Sequence, residues 1–318
     1  MPARQPPRIA AIGIADWDDY IVVDRYPALG SFAITRDVFG FPGGTTLNSA
    51  VTLARLGASI SLVTMVGDDD HGIKIREIMA REGIDGREVG TRPEVATDHS
   101  IVIVSREEQE RTIFWEQGAR LHKGDAIDIT SVFSHDLVLL DVDDMPLRRF
   151  LVDLPAHSVP NARLLGTMTY LADSGEADAW EIALRHDLLV GNERELLELS
   201  GQPALEPALN VVQGAIAGAN LRACIVSRGA HGAVAVTGSD RWDAPAFAVD
   251  VVDTTGAGDA FAGAIAYAAA LRWEWSCAIR FSNAVAALSI GAMGAQSALP
   301  SIDAVASILQ VEPITLRA

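Results

Sequence analysis

The chain has 318 residues, of which 49% are hydrophobic, and its formal net charge at pH 7 is −17. This acidity argues against partners that need a basic footprint, so we predict binding neither to nucleic acid nor to an anionic membrane. No apolar run is long enough to span a bilayer, and the first residues lack the apolar core of a signal peptide, so a cytoplasmic protein is predicted.

Short β-branched segments alternate with helical patterns along most of the chain, an order typical of βαβ units and a mostly parallel sheet. The first half predicts a strand at 8–15, a helix at 46–57, a strand at 59–67 and a helix at 71–83. The second half predicts strands at 136–141, 162–166, 187–190 and 223–227, then Ala-rich helices at about 256–271 and 275–290. The predicted fold class is therefore α/β.

Two segments, 18–44 and 98–119, instead alternate apolar and polar residues with a period of two, which predicts antiparallel strands. The second contains a charged turn, REEQE, at 106–110. If the two segments pair, they form a small sheet above the parallel one that serves as a lid or a dimer face. We therefore predict one domain, 1–318, that contains both lid excursions.

The two cysteines, Cys224 and Cys277, lie far apart in apolar segments. This placement predicts reduced thiols in the core and no disulfide or zinc site. The seven histidines show no metal-ligand spacing either.

The stretch DTTGAGDAF, 253–261, places a glycine-rich turn directly before an Ala-rich helical segment. The N–H groups of Gly256, Ala257 and Gly258 would then be free donors at a helix start, a position that binds anions such as phosphate. Asp259 would follow in the first helical turn, where its carboxylate could take the proton of an attacking hydroxyl. Donors for the charge and a base for the nucleophile suit phosphoryl transfer. Taken alone, the pattern fits a helix N-cap and packing motif equally well.

Other glycine patterns narrow the choice of nucleotide site. The chain has no G-x-x-x-x-G-K-[ST] pattern, and no G-x-G-x-x-G follows its first strand, so neither a P-loop nor a dinucleotide fold is predicted. The stretch SRGAHG, 227–232, is a glycine turn between two predicted strands. It suits backbone contact with a nucleotide and, equally, a plain hairpin.

Together these segments resemble the signatures of the ribokinase-like carbohydrate kinases, the PfkB family. The first signature is matched by Gly43, Gly44, Asn48, ARLG ending at Gly57 and VGDDDHG from Val66. The stretch DTTGAGDAFAGAIA, 253–266, is similar to the whole second signature, and GNERELLELSG, 191–201, to the N-x-x-E element. The resemblance implies a three-layer α/β/α sandwich with a mostly parallel central sheet, a small β-sheet lid and a homodimer that pairs through the lid.

The resemblance also assigns roles around the phosphates. Asp259 would be the catalytic base, and the amides of Gly256, Ala257 and Gly258 the anion hole. ATP and Mg²⁺ are implied, with Glu195 acting on the metal through water. The other nucleotide-binding positions would be Asn192, Ser227, Gly229, Gly232 and Asn283. The loops that hold a monovalent cation such as K⁺ in the family are matched by Asp253, Thr255, Ser289, Ala292, Gly294 and Ala298, the last without the family's hydroxyl.

On the acceptor side, GIADWDD, 13–19, resembles the family's G-x-x-x-x-D at the end of the first strand, which puts Asp16 and Asp18 on sugar hydroxyls. The pocket would be completed by Gly43, Gly44, Asn48 and, at the end of LVLLD, Asp141. Carboxylates and an amide suit a polyol because each pairs with several hydroxyls. In the competing interpretation, one of Asp16, Asp18 and Asp19 lies in solvent at the end of the strand, and Asp141 has a structural role.

The chain departs from the family pattern beside this pocket. Thr45, Thr46 and Leu47 stand between the two glycines and Asn48 and change the pocket wall. Trp17 adds a ring near the strand end, which could stack on a nucleobase or pack in the interior.

The leading hypothesis is an ATP-dependent kinase that phosphorylates a primary hydroxyl of a small ribose- or fructose-like sugar, with a nucleoside as the alternative acceptor. The acids disfavour an anionic acceptor unless Arg106 or Arg111 of the lid supplies a cation. A rival hypothesis is a sugar- or nucleotide-binding regulator without catalysis, and the complete 256–259 turn argues against it. An oxidoreductase on a doubly wound sheet lacks its cofactor fingerprint.

Overall fold

Two β-sheets organise the computed structural model, which describes residues 5–108, 110–311 and 315–316. The strands are β1 (Arg8–Gly13), β2 (Asp16–Val23), β3 (Thr35–Gly43), β4 (Ser59–Gly67), β5 (Val89–Arg92), β6 (His99–Ser105), β7 (Glu110–Glu116), β8 (Leu137–Asp141), β9 (Leu164–Thr167), β10 (Leu188–Asn192), β11 (Ala223–Ser227), β12 (Ala233–Val236) and β13 (Arg241–Ala244). The helices are α1 (Thr45–Arg55), α2 (Asp70–Glu82), α3 (Ile129–Val132), α4 (Met145–His157), α5 (Thr169–Asp173), α6 (Ala179–Ala183), α7 (Glu193–Ser200), α8 (Leu205–Ile216), α9 (Ala257–Ala270), α10 (Trp275–Ser289) and α11 (Ile302–Leu309).

The large sheet has nine strands in the order β13-β12-β11-β10-β9-β8-β1-β4-β5. The seven strands from β11 to β5 in this order are all parallel, whereas β12 pairs antiparallel with both of its neighbours, β11 and β13. The predicted mostly parallel α/β fold is confirmed. Strands buried on both faces form near-continuous apolar runs, as LVLL in β8 illustrates.

Helices cover both faces of this sheet and give three layers. One core lies between the sheet and α1, α2, α9, α10 and α11, with Leu47, Phe261 and Phe281 fully or almost fully buried. The other lies between the sheet and α4, α6, α7 and α8, with Leu151 and Leu196 at its centre. Burial of each such side chain stabilises the folded protein by about 1.5–3 kcal/mol. The two cores therefore fix the position of the sheet between them.

The carboxyl ends of the parallel strands meet at one edge of the sheet. There β8 ends at Asp141, β9 at Thr167, β10 at Asn192 and β11 at Ser227. In open α/β sheets ligands bind outside this edge, so the polar residues that end these strands mark the functional side of the molecule.

The small sheet has four strands in the order β3-β2-β6-β7, and we call it the lid sheet. The hairpins β2/β3 and β6/β7 are antiparallel, as the alternation predicted, but the two central strands, β2 and β6, run parallel. Both hairpins leave the body with their first strand, β2 just after β1 and β6 after β5, so these two strands point in the same direction. The two excursions do pair with each other, with β2 starting at Asp16.

Several predicted element boundaries agree with the structure, but the predicted burial of one cysteine does not. Strands β4 and β11 have the predicted ends, while β1 stops at Gly13 because the chain turns into the lid sheet. Cys224 is buried, but Cys277 is exposed, contrary to the prediction of a core thiol. It lies on the first turn of α10, whose buried positions include Ala278 and Phe281. None of the helices formed by the described residues is long and apolar enough to cross a membrane.

Candidate active site

A cavity of about 240 Å³ opens at the carboxyl edge of the large sheet, beside the start of α9. It is lined by Thr45, Ser49, Arg111, Asp141, Thr167, Thr169, Val190, Gly191, Asn192, Glu195, Ser227, Thr254, Gly256, Gly258, Asp259, Phe261 and Ala262. The structure thus places the predicted base, two of the three predicted anion-hole residues and the predicted metal carboxylate around one space. We call this space the transfer cavity.

The turn before α9 has the shape that the glycine pattern predicts. Gly256 caps the helix in the left-handed conformation, with φ at 76°, and a Cβ there would lie 2.7 Å from the Cβ of Ala295. Around Gly258 no atom lies within 4 Å of a Cβ position, so its backbone stays open to a ligand. The N–H of Ala257 donates to the carbonyl of Thr254 at 3.3 Å, so this amide is shared with the turn. Amides at such a helix start favour a bound anion.

Asp259 is held by an amide relay that the sequence motifs do not reveal. Asn48 Nδ2 donates to Asp259 Oδ2 at 2.8 Å, and Gln296 Nε2 donates to Asn48 Oδ1 at 2.9 Å. Gln296 therefore fixes the amide of Asn48 with its donor toward the carboxylate. Ser49 Oγ donates to the backbone carbonyl of Asp259 at 3.0 Å, so α1 and α9 are joined at this point.

Burial raises the pKa of the Asp259 carboxyl well above its ordinary value, and the donor from Asn48 opposes this rise. The charges of Asp141, Glu195 and Asp18 raise the pKa further. A raised pKa suits a general base because the ionised form accepts a proton more readily.

Asp16 and Asp18 lie on the same face of β2 and are both buried. Asp16 is opposite Gly43 in the sheet register, and a Cβ at Gly43 would overlap the carboxylate oxygens of both acids. Burial raises the pKa of Asp18 to about 6 and that of Asp16 well above its ordinary value. Asp16 Oδ1 is buried without a hydrogen-bond partner. A hydroxyl donor from a ligand would satisfy this oxygen, as the predicted acceptor role requires.

Asp141 lines the transfer cavity but already has partners. Its carboxylate accepts hydrogen bonds from Thr167 Oγ1 and, at 3.3 Å, from Thr46 Oγ1. It is 1% exposed, so the structural interpretation of this residue gains support over the acceptor contact.

Two of the three residues thought to change the pocket wall lie elsewhere. Thr46 is fully buried and accepts a hydrogen bond from the N–H of Ile14, and Leu47 is buried in the core. Thr45 alone of the three lines the transfer cavity. Helix α1 starts at Thr45, directly after Gly44 with its φ of 91°, so the next two side chains turn inward.

Trp17 packs in the interior and offers no free ring. It lies on the opposite face of β2 from Asp16 and Asp18, and its ring stacks on His71 with 5.4 Å between centroids. Trp115, which sequence reasoning did not single out, lies on the same face as the acids, two strands from Asp18 in the lid sheet. Its register partner is Ser100, which pairs with Asp18, and it is 45% exposed, with the Arg120 guanidinium 3.8 Å from its ring centroid. Strand register sets this placement, and a single sequence carries no signal for it.

A larger cavity of about 720 Å³ borders the transfer cavity along α9 and α10. Its lining includes all five predicted nucleotide-binding residues, namely Asn192, Ser227, Gly229, Gly232 and Asn283. Apolar walls come from Phe247, Val249, Val251, Ala286 and Ile290, among others. We call this space the nucleotide cavity, since it combines apolar walls with open backbone next to the α9 turn.

The glycine turn at 227–232 is a hairpin between β11 and β12 and also a wall of the nucleotide cavity. Gly232 has a φ of 82°, and a Cβ there would overlap the carbonyl of Ala244. Asn283 Nδ2 donates to the carbonyls of Ala244 and Pro245 at 3.1 and 3.0 Å. Its amide therefore fixes the loop that follows β13 against the cavity.

The N-x-x-E element forms a capping box at the start of α7. Asn192 Oδ1 accepts from the N–H of Glu195, and Glu195 Oε2 accepts from the N–H of Asn192, both at 2.9 Å. Thr169 Oγ1 donates to the other oxygen of Glu195 at 3.2 Å. Burial raises the pKa of the Glu195 carboxyl. Each carboxylate oxygen keeps a free lone pair, which fits a metal contact through water.

No group of three or more His, Cys, Asp or Glu side chains that could hold a metal occurs in 5–108, 110–311 or 315–316. Mg²⁺ usually keeps several waters and binds through one or two carboxylates plus substrate phosphates. A single cavity carboxylate such as Glu195 fits this mode of binding.

The loops predicted to hold a monovalent cation meet at Asp253. Its Oδ1 accepts from Thr255 N and Oγ1 at 2.9 and 2.7 Å, and its Oδ2 accepts from Gly294 N at 2.9 Å. Ser289 Oγ donates within α10 to the carbonyl of Ala286 at 2.8 Å. Asp253 thus ties the α9 turn to the 290–294 loop through three donors.

Of the two lid arginines considered as cations, only Arg111 lines the transfer cavity. Arg106 forms an exposed ion pair with Asp37 at 3.0 Å in the lid sheet. The Arg106 side chain therefore lies outside this site.

Known proteins are similar to this chain over nearly its whole length. Residues 8–302 match the model described as pfkB family carbohydrate kinase. The chain is 30% identical to an ATP-dependent ribose-1-phosphate kinase from Halopiger xanaduensis, over 95% of this chain and 98% of the relative. It is 28% identical to a ribokinase from Bacillus subtilis, over 95% and 99% of the two chains. The crystal structure of a ribokinase from Thermotoga maritima superimposes with a TM-score of 0.81 at 25% identity, over 95% and 99%.

These relatives define the class as phosphotransferases that act on a hydroxyl group. The chain belongs to the pfkB family of carbohydrate kinases, as its resemblance to the family signatures predicted.

Proposed function

We propose that the protein transfers the γ-phosphoryl group of ATP to a primary hydroxyl of a small ribose- or fructose-like sugar. The observation that carries this proposal is the position of Asp259. Its carboxylate borders the transfer cavity, next to the open turn at Gly256 and Gly258, and accepts a hydrogen bond from Asn48 of the proposed acceptor pocket. The nucleotide cavity lies on the other side of the same turn.

Each part then has one chemical role. ATP occupies the nucleotide cavity with its γ-phosphate at the amides of Gly256, Ala257 and Gly258. The sugar lies under the lid sheet, with hydroxyls on Asp16, Asp18 and Asn48 and the backbone of Gly43 and Gly44 close beside it. Glu195 would hold Mg²⁺ through water, and the ion would supply positive charge to the phosphates.

The transfer step follows from these positions. Asp259 takes the proton of the primary hydroxyl, whose oxygen bonds to the γ-phosphorus. The bond from that phosphorus to the β–γ bridging oxygen breaks, ADP leaves, and the helix-start amides stabilise the transferring oxygens. The proposal also includes an acceptor contact at Asp141. It includes a K⁺ ion at the loops of Asp253, Thr255, Ser289 and Gly294, which assays with and without K⁺ would test.

Asp259→Asn tests the base directly. The substitution keeps the side-chain shape and removes the proton acceptor, so kcat should fall about 10²–10⁴-fold while the KM for ATP changes little. Asp250→Asn, an exposed acid in the loop just before the motif, is the matched control and should keep full activity. Substantial phosphoryl transfer by the Asp259→Asn variant would refute the role of base.

An ADP-release assay over a panel of sugars, nucleosides and sugar phosphates would identify the acceptor. A nucleoside is the second candidate because Trp115 presents a half-exposed ring on the same face of the lid sheet as Asp18, two strands away. Sugar phosphates are included because the Halopiger relative is an ATP-dependent ribose-1-phosphate kinase. Binding of acceptors without turnover on the whole panel would instead support the non-catalytic regulator.

We also propose a homodimer that forms through the outer face of the lid sheet. The register places Ile21, Val38, Ile103, Ile101 and Phe114 on the face opposite the acids. Val38 is 63% exposed and Phe114 51%, an apolar patch of the kind that marks an interface. Sedimentation or light scattering would test it, with Val38→Lys expected to shift the protein toward monomer.

A further inference from the structure

Arg111 connects the lid sheet to the catalytic turn across a long sequence separation. Its Nη1 donates to Thr254 Oγ1 at 3.1 Å, two residues before Gly256. This contact brings a cation from β7 to the junction of the transfer and nucleotide cavities, since Thr254 lines both.

The sheet register shows that Arg111 faces the body. It pairs with Val104 on β6, which pairs with Val22 on β2, and Val22 lies on the same face as Asp18. The guanidinium is therefore presented by the same lid face that carries the acceptor acids.

Arg111 also stands out by its charge. Among the described residues, the other ionisable side chains that line the transfer cavity are the carboxylates Asp141, Glu195 and Asp259. Arg111 is the one cation among these lining residues. A cavity that receives a polyphosphate and contains three carboxylates needs positive charge where negative charge gathers.

We propose that Arg111 is a catalytic residue that bonds an oxygen of the transferring phosphoryl group, an inference that rests on the proposed function. Its guanidinium donates to Thr254, two residues before the turn at Gly256. A guanidinium group has N–H donors and no acceptor atom, so Arg111 leaves the proton transfer from the hydroxyl to Asp259 unchanged. Arg111 on β7 and the acceptor acids Asp16 and Asp18 on β2 belong to the same lid sheet. An acceptor bound to the acids would therefore also fix the position of Arg111 for transfer.

The competing interpretation is that Arg111 binds an anion carried by the acceptor itself. The two interpretations differ in kinetics. A contact with the transferring group acts with every acceptor and lowers kcat, whereas a contact with the acceptor's own anion changes KM for charged acceptors only.

The test compares Arg111→Ala and Arg111→Met with wild type, using the best neutral acceptor and the best phosphorylated acceptor of the panel. We expect kcat to fall about 10²–10³-fold with both acceptors, with KM values within about threefold, as for loss of one transition-state donor. Added guanidinium ion should restore part of the kcat of Arg111→Ala and none of that of Asp259→Asn. Arg36→Ala, which removes an exposed lid arginine paired with Asp24, is the matched control and should match wild type.

Two results would overturn the inference. One is an unchanged kcat of both Arg111 variants with the neutral acceptor, and the other is a rise in KM confined to phosphorylated acceptors. Thermal unfolding midpoints equal to wild type would show that the variants fold. Wild-type protein that releases no ADP with any acceptor would overturn the proposed function as well, whereas active wild type with fully active variants overturns the inference alone.

Discussion

Removing the amide of Asn48 should shift the pH dependence of catalysis. Asn48 Nδ2 donates to Asp259 Oδ2 at 2.8 Å, and this donor lowers a pKa that burial raises. In Asn48→Ala the ionised form of Asp259 loses its partner, so the pKa of its carboxyl rises further. Since the base must be ionised to accept a proton, the acid limb of the kcat profile moves to higher pH.

The size of the shift follows from the bond. A hydrogen bond to a charged group contributes about 1.5–3 kcal/mol, and one pKa unit corresponds to about 1.4 kcal/mol. The acid limb should therefore move up by about 1–2 pH units, which means about a 10–100-fold loss of kcat below the limb and recovery of rate at high pH. Loss of Gln296, which only orients the amide, should give a smaller shift in the same direction.

The assay is ADP release at saturating acceptor between pH 5 and 9 for wild type, Asn48→Ala and Gln296→Met. Ser49→Ala is the control, because Ser49 contacts the backbone carbonyl of Asp259 and not its carboxylate. An Asn48→Ala profile with the wild-type acid limb and only a raised KM would refute the reasoning and leave Asn48 as an acceptor contact alone.

Three further predictions concern the acceptor pocket and the sheet edge. Gly43→Ala should raise the KM for the acceptor at least tenfold, because the added Cβ would overlap the carboxylates of Asp16 and Asp18. Gly124→Ala is the control and should leave this KM unchanged, because no atom lies within 4 Å of its Cβ position. Arg148→Met should lower the free energy of unfolding by about 1.5–3 kcal/mol in chemical denaturation, because the fully buried guanidinium donates to three carbonyls at the ends of β8 and β9. Arg149→Met is the control and should change the free energy of unfolding by less than about 1 kcal/mol. Burial raises the pKa of Asp18 from 3.8 to about 6, so the native protein holds this proton more tightly than the unfolded chain and loses stability as pH rises through that window. Asp18→Asn should therefore raise the melting temperature most at pH 8, with a gain that shrinks below about pH 6, and a gain independent of pH would contradict the assignment.

The features that the sequence predicted well depend on residues close together in the chain. The turn at Gly256 and Gly258 and the capping box of Asn192 and Glu195 are set by spacings of two or three residues. The strands that end at Asp141 and Ser227 are short apolar runs with clear limits, and a parallel sheet brings such ends to one edge. Local spacing and sheet topology therefore suffice to bring the residues predicted for the phosphate side around one cavity.

The features that it missed depend on long-range packing. The relay from Gln296 to Asn48 joins residues 248 positions apart, and the contact of Arg111 with Thr254 spans 143. Strand register in the lid sheet decides that Trp115 and not Trp17 lies on the face of the acids, since a shift of one residue exchanges the two faces. Cys277 was assigned to the core because its segment is apolar, but the side of a helix that faces the core is fixed by its neighbours.

The inner face of the lid sheet separates charge in a way that bears on the acceptor. Asp16 and Asp18 lie where β2 begins, while Arg111 lies four residues along β7 from Trp115, which is in register with Asp18. At about 3.4 Å per residue the two backbone positions are about 14 Å apart along the strand, and the Arg111 guanidinium donates to Thr254 at the catalytic turn. An anionic group next to the acids would therefore face two carboxylates at short range, while the Arg111 guanidinium is bound at Thr254. A phosphorylated acceptor would have to reach Arg111 itself and compete there with the transferring phosphoryl group, so the charge pattern favours a neutral sugar.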